Sequence, residues 1–442
     1  MKETVLHYIW KFKKLKSMSF SSVDGQAIEV ISTGTHNTNA GPDFLNATVK
    51  INGIEWNGHI EIHVKSSEWE SHKHQFDAAY NNVILHVVYE CNQPVFTHSG
   101  FELIQAEIKN LVNATDLSNA LDFISGKNQI ACLGQLKDID PIIIRSQIER
   151  VLLSRLESRY ENLKIELDKS KNDWENVTYK LIAKAFGTNI NKFAFEQLAN
   201  TISLSLIQKE GFSQLRTEAI LFYYSGLLES ELCDYSITLI EAAKQIELKY
   251  KLNPISKQEW KFSTMHADNF PTIRIAQFAG LIFSTKNIFS RIIEANSIDD
   301  IRSIFHTSAS EFWNTHYTFK NVSTKNCIKK TSRDFIDKLI INAAIPILFA
   351  YGKYSQSPIL IERSLDFLEL LGPEKNKIVD TFQKAGVNIK SAVDSQGLIE
   401  LKNTYCELKK CLTCGIGIKI LGSPSPATYG LIHGIPIKIT EQ

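Results

Sequence analysis

Residues 54–65, IEWNGHIEIHVK, alternate apolar and polar side chains in the way a β-strand requires. Successive strand side chains point to opposite faces, so Ile60, Ile62 and Val64 share one face and His59, Glu61, His63 and Lys65 share the other. The first set faces a core. The second puts a carboxylate, two imidazoles and an ammonium in one row, and burying such charges without partners costs several kcal/mol each. That face is therefore either solvated or a site. The run follows Asn52-Gly53, a strong hairpin signal between two alternating stretches. Its partner strand is Asn46–Ile51, and Asp43 lies just ahead of that strand, where a hairpin can bring its carboxylate beside Glu61.

Two carboxylates on neighbouring strands are suited to Mg²⁺ or Mn²⁺, which prefer oxygen ligands. A Lys or His two residues beyond the second carboxylate can orient or deprotonate an attacking water, and the metal stabilises the charge that develops on a phosphate. Asp43 and Glu61 are thus the candidate metal ligands, with His63 and Lys65 as candidates for the water-activating role.

The surrounding chain supplies a small mixed sheet. Ala27–Ile31, Val83–Glu90 and Glu102–Ile108 also read as strands, residues 1–16 as a short helix, and Ser67–Ala79 as a helix before the next strand. Lys11, Lys13, Lys14 and Lys16 give the first helix a basic end, read as a solvated face. The pattern weakens over 109–140. From Asp138-Ile139-Asp140-Pro141 onward helical spacing dominates: Ile142–Leu167, then Trp174–Phe186, Phe193–Lys209, Gln214–Leu228, Asp234–Leu252, Arg274–Glu294 and Arg333–Ala350. The tail returns to turn and β-branched residues. The fold class expected is α+β: a small mixed-sheet α/β unit at 1–110, a connecting segment at 111–140, a larger all-helical domain at 141–420, and a strap or short strand at 421–442.

Composition narrows the partners. The 442 residues suggest two or three domains, and 43% hydrophobic with 22% charged residues is an ordinary soluble composition. Lys plus Arg is 49 and Asp plus Glu is 48, a net charge of +1. Nucleic acid would then need a local basic patch, since the chain has no global positive field. No secretory signal pattern and no uncharged run of 18 apolar residues is present, so cytoplasm is expected and a membrane is not.

The segment GPDFLNATVKINGIEWNGHIEIHVKSSEW, residues 41–69, resembles the PD-(D/E)XK nuclease superfamily. Pro42-Asp43 is similar to the PD element, and Glu61-Ile62-His63 occupies the (D/E)-x-K element, with His63 where the family carries lysine. Lys65 lies on the same strand face and could supply the missing ammonium. The helix–strand–hairpin–helix–strand order is also similar to that fold. The resemblance implies a nuclease-like core and a Mg²⁺-dependent phosphodiesterase acting on DNA or RNA. The alternative is a non-catalytic scaffold on the same core that binds nucleic acid or a protein, with the helical domain as a further gripping surface. Over nearly its whole length the chain also resembles the bacterial domain-of-unknown-function 2851 family, through Gly41–Phe44, Gly58–Trp69, Tyr80–Val87, Asp173–Gly187, Asn269–Ala276 and Tyr405–Gly417. That resemblance implies an architecture and brings no activity.

Two other constellations can hold metal. His59, His63, His72, His74 and His86 could form a cupin-like transition-metal site, although a cupin needs more antiparallel strands than residues 24–108 provide. Cys406, Cys411 and Cys414 read C-x4-C-x2-C, a spacing similar to three ligands of an iron–sulfur site or a zinc site, with Cys132 as the fourth; the other reading is cysteines acting as small hydrophobes. His72 and Asp77 are either rim residues or caps. Arg274 either reaches phosphate or packs helices.

Overall fold

The computed structural model describes all residues except 1, 38–39, 126–127, 229–232, 264, 321, 423–428, 433–434 and 439–442. It begins with helix α1 (Glu3–Lys11), whose Val5, Leu6, Ile9 and Trp10 are fully buried. Strands β1 (Ser19–Ser21), β2 (Ala27–Ser32), β3 (Thr35–His36), β4 (Phe44–Ile51), β5 (Ile54–Lys65), β6 (Val83–Glu90) and β7 (Gln105–Glu107) form one seven-stranded sheet. Its order is β1-β2-β4-β5-β6-β7, with β3 paired to β4. Neighbours up to β5 are antiparallel, whereas β5–β6 and β6–β7 are parallel, so the sheet is mixed as expected. Asn52 and Gly53 make the β4–β5 hairpin with φ of 51° and 83°, the left-handed pair that a two-residue turn of this kind demands.

The faces sort as the alternation dictates. Ile60 and Ile62 of β5, Phe44 and Val49 of β4, and Leu85 and Val87 of β6 pack with α1 in one apolar cluster. Each such buried side chain contributes about 1.5–3 kcal/mol. Helix α3 (Ala114–Ser125) joins this cluster through Ala120 and Ile124, although residues 109–140 carry too weak a pattern to predict it. The opposite face carries Glu61, His63 and His86, covered by the β5–β6 crossover and by a small cluster of Trp69, Tyr80, Val83, Val95 and Leu103. A parallel pair needs such a crossover. The single helix expected over 67–79 is instead the one-turn α2 (Glu68–Ser71) followed by 3₁₀ turns at His74–Phe76 and Ala78–Tyr80. Lys73 adopts a left-handed φ of 64° and Asp77 an extended conformation, and both end helical propagation.

From helix α4 (Pro141–Lys169) the chain is mostly helical. Asp140 caps α4 by accepting the Ile142 N–H, with Pro141 at the first helical position. Arg145 pairs with Asp394 at 2.8 Å and Arg155 with Glu400 at 2.7 Å, which ties α4 to the helix Ala392–Leu401. Two expected helices are each split: residues 193–209 by extended Ile202, and residues 274–294 by extended Thr285 and left-handed Asn287. Arg333–Tyr354 is long and apolar enough to cross a membrane, but 78% of its apolar window is buried, as in the core helix of a folded domain. Near the C-terminus, Leu412 enters the core of the sheet, and the Tyr8 hydroxyl donates to the Leu421 carbonyl at 3.5 Å. Of the expected 421–442 strap, Tyr429–Ile432 and Ile435–Lys438 pair as an antiparallel hairpin, and the rest lies outside the described residues apart from the turn at 421–422.

Candidate functional site

Asp43 and Glu61 interlock across the hairpin. Between the pairs Phe44↔Ile60 and Ala47↔Gly58, β4 holds one extra residue, and Asn46 absorbs it with a φ of 56°. Such a bulge re-aims neighbouring side chains. The Asp43 N–H donates to Glu61 Oε2 at 3.0 Å, and the Ile62 N–H donates to Asp43 Oδ2 at 3.0 Å. Each carboxylate is thereby fixed to the other strand's backbone. His59 is used at the bulge, where its Nδ1 accepts the Asn46 N–H at 3.3 Å.

Helix α1 adds two groups that sequence patterning alone does not single out. Glu3 and His7, four residues apart, share one helix face. His7 Nε2 lies 3.2 Å from Asp43 Oδ2, and Glu3, His7 and Asp43 each offer a ligand atom within 4.8 Å of the others. On the other side of Glu61, its Oε1 lies 3.2 Å from His74 Nε2 and 3.6 Å from His63 Nε2. His63 Nε2 is 3.1 Å from His72 Nδ1 and 3.9 Å from Glu3 Oε1, while His63 Nδ1 meets His86 Nε2 at 2.8 Å. The left-handed Lys73 reverses the chain between His72 and His74, so both imidazoles reach one place. His74 stacks on Tyr80 with centroids 3.9 Å apart.

The electrostatics are those of carboxylates in want of a cation. Among the described residues, the ion pairs of Glu3, Asp43 and Glu61 are with imidazoles alone. Burial, and then the Asp43 charge, push Glu61 up to about 8 and Glu3 up to about 7. Burial opposes protonation of His7, but the 3.2 Å contact with the Asp43 carboxylate and its charge outweigh it and the net shift is upward. Burial and then neighbouring imidazoles hold His63 down to about 2, so it is a neutral ring. Burial likewise holds His86 down to about 3. His7 Nε2 and His74 Nε2 are buried with no hydrogen-bond partner, though each is within 3.2 Å of a carboxylate oxygen. Raised carboxylates and orphaned ring nitrogens around one space fit a divalent cation, which would replace the protons.

Lys65 is exposed at the end of β5, opposite Glu90, and its side chain makes no ion pair among the described residues; its N–H donates to Glu68 Oε2 at 3.1 Å. His63 is fully buried. Asp77 caps the turn after it by accepting the Ala79 N–H, and Asp173 caps its helix by accepting the Asn176 N–H. Arg274 is buried over the Phe335 ring and donates to Gln277 at 2.7 Å and to Asn269 at 2.5 Å, so its guanidinium packs helices. Cys406 and Cys414 are buried in an apolar cluster on which Cys132 packs, and Cys411 packs on the core of the sheet. All four are reduced. Burial pushes all four thiols up, and for Cys132, Cys406 and Cys411 neighbouring cysteines add to it, taking Cys406 to about 12. No three of these sulfurs lie within 4.8 Å of one another; among the described residues only the two groups built on His63 and Asp43 meet that distance.

Neither the curated proteins nor the solved structures contain a match to this chain. A family model described as protein of unknown function matches residues 3–377, most of the sheet and helical region described above, and the chain belongs to that family, DUF2851.

Proposed function

We propose that the N-terminal unit is a metal-dependent phosphodiesterase of the PD-(D/E)XK kind, acting on DNA or RNA with Asp43 and Glu61 holding Mg²⁺ or Mn²⁺. The observation that carries this reading is the pair Asp43 and Glu61, each held by the other strand's backbone N–H, with Glu3 and His7 gathered around Asp43 and no lysine or arginine among the described residues paired to any of the three carboxylates. The element order also supports it: a helix, an antiparallel run ending in the β4–β5 hairpin, a crossover, and a parallel strand.

A cation in this place would stabilise charge developing on a phosphate and lower the pKa of a bound water. The chain's own groups do the rest. Asp43 and Glu61, each oriented by the other strand's backbone N–H, would hold the cation. His7 would ligate the same cation beside Asp43, whereas burial and neighbouring imidazoles keep His63 a neutral ring. Lys65 is exposed and makes no ion pair with these groups, so among the described residues no ammonium is paired to them as the resembled motif would have it.

A cleft of about 1230 Å³ in the helical region supports a polyanionic substrate. Lys192, Lys338, Lys375 and Lys377 line it and make no ion pair among the described residues. Four such ammonium groups around one cleft give the local basic patch that the neutral net charge otherwise lacks.

The second reading, a non-catalytic scaffold that binds nucleic acid or protein, draws on the placement of Lys65. Incubation with single- and double-stranded DNA and RNA in Mg²⁺ or Mn²⁺ separates the two. The nuclease reading expects cleavage that Asp43→Asn reduces by roughly 100-fold or more, since the cation supplies several kcal/mol and about 1.36 kcal/mol is tenfold in rate. Equal behaviour of wild type and variant on every substrate favours the scaffold.

A further inference from the structure

The imidazoles beyond Glu61 do not belong to an oxygen-ligand magnesium site. We propose that His63, His72 and His74, with Glu61 Oε1 as the fourth ligand, form a separate transition-metal site of the zinc class. It adjoins the carboxylate pair Asp43 and Glu61, which Glu3 and His7 flank, and shares only Glu61 with it. The proposal does not rest on the phosphodiesterase reading.

The geometry has the right scale. Zinc–nitrogen bonds of about 2.0–2.1 Å make the edges of a coordination tetrahedron about 3.3–3.4 Å. The observed separations bracket that value: 3.1 Å for His63 Nε2 to His72 Nδ1, 3.2 Å for His74 Nε2 to Glu61 Oε1, and 3.6 Å for His63 Nε2 to Glu61 Oε1. The three imidazoles offer nitrogens within 4.8 Å of one another; Glu61 stands outside that group of three, with its Oε1 against His63 and His74. Contacts of this size also suit hydrogen bonds, and two observations decide between them. His74 is 9% exposed, its Nε2 is buried, and it has no hydrogen-bond partner, so it is aimed into the group without being satisfied by it. His63 is fully buried, and its Nδ1 contact with His86 Nε2 at 2.8 Å can hold the ring in the tautomer that turns the Nε2 lone pair inward. Metal-binding imidazoles are oriented by such an outer hydrogen bond.

The ligand set names the class of ion. Three imidazoles and one carboxylate suit zinc, cobalt or ferrous iron, whereas Mg²⁺ prefers oxygen and retains its waters. His72 is exposed, which leaves an entry path from solvent. Glu61 receives the Asp43 N–H on Oε2, so Oε1 is the oxygen available to the imidazole side.

The test is titration of the full chain, stripped by a chelator, with Co²⁺. One equivalent should produce the intense visible absorption of tetrahedral cobalt, and Zn²⁺ should bleach it by displacement. His72→Ala removes an exposed ligand at little cost to folding and should weaken cobalt binding by roughly 100-fold, as should His74→Ala. Asp43→Asn should keep the cobalt spectrum while losing any Mn²⁺-dependent cleavage, so the two sites fail separately. Absence of the tetrahedral band in wild type, or a band unchanged in both His72→Ala and His74→Ala, would overturn the proposal. Loss of the band in Asp43→Asn, with circular dichroism unchanged, would overturn the separateness of the site.

Discussion

Replacing Glu61 by Gln should make the metal-free protein less sensitive to pH, and the size of the effect follows from the environment of the carboxyl group. Asp43, Glu3, His7, His63 and His74 face it, and burial and Asp43 push it from 4.5 up to about 8. Between these values the folded protein keeps a proton that the unfolded chain has released. Stability contributed by Glu61 is therefore fully present below about pH 4.5 and is lost as pH rises towards 8. Integrating at about 1.36 kcal/mol per pH unit gives a loss of about 2–3 kcal/mol between pH 5 and 7. In a chain of this length, whose C-terminal Leu412 packs into the sheet core, this is a melting shift of about a few °C. Glu61→Gln has nearly the same volume and cannot titrate. Melting both proteins in a chelator from pH 5 to 8 cancels the contribution of groups that do not feel the Glu61 charge; Glu3 and His7, both raised in part by it, shift down in the variant. The variant should gain on wild type steadily as pH rises, and Mn²⁺ should rescue wild type at pH 8 while doing little for the variant. A constant difference across the range, or a wild type that gains on the variant at high pH, refutes the assigned environment.

Lys65→Ala should leave both stability and any cleavage unchanged, within about 0.5 kcal/mol for stability, because its side chain is exposed and outside the site; a drop in cleavage like that of Asp43→Asn would return Lys65 to the site. Reversing the charges of Lys338, Lys375 and Lys377 together should weaken nucleic-acid binding and lower its salt slope by about 0.9 for each phosphate of duplex DNA no longer neutralised, measured as affinity against salt concentration; an unchanged slope removes the cleft from the binding path. Burial and raised pKa should make Cys132, Cys406, Cys411 and Cys414 alkylate far more slowly than the exposed Cys327 at neutral pH, read by mass spectrometry; equal rates would contradict their placement.

Much of the sheet was legible because its rules are local. The period of two determines which face Ile60 and Glu61 take, and Asn52-Gly53 sets the hairpin that pairs their strands. Asp43 comes within reach of Glu61 by the same logic. The face rule fails for Lys65 because sharing a face is not sharing a place. At about 3.3 Å per residue, Lys65 sits about 13 Å along the strand from Glu61, whereas His63 is about 7 Å away. Glu3 and His7 were not legible because their approach to Asp43 is made across some forty residues of chain by the docking of α1, and no local pattern announces it. Their spacing of four is visible, but the lysines that follow mark the helix's basic end more strongly. The bulge at Asn46 and the left-handed Lys73 are equally hidden, since neither is a residue that a backbone reversal requires. Helix α3 carries a helical apolar spacing in Leu117, Ala120, Leu121 and Ile124, but it is a single short run inside the 109–140 stretch, whose flanks show no period, and it reads with them as a connecting segment.

The group around Asp43 and Glu61 is proposed to bind a divalent cation and to use it to cleave phosphodiesters. Measuring cleavage rate against Mn²⁺ concentration, with bound Mn²⁺ counted by electron paramagnetic resonance in the same samples, tests it most directly. Rate and occupancy should rise together to saturation in wild type, and both should collapse in Asp43→Asn while the melting profile in chelator persists. Mn²⁺ that binds wild type and Asp43→Asn alike, or cleavage that does not follow occupancy, would contradict the claim.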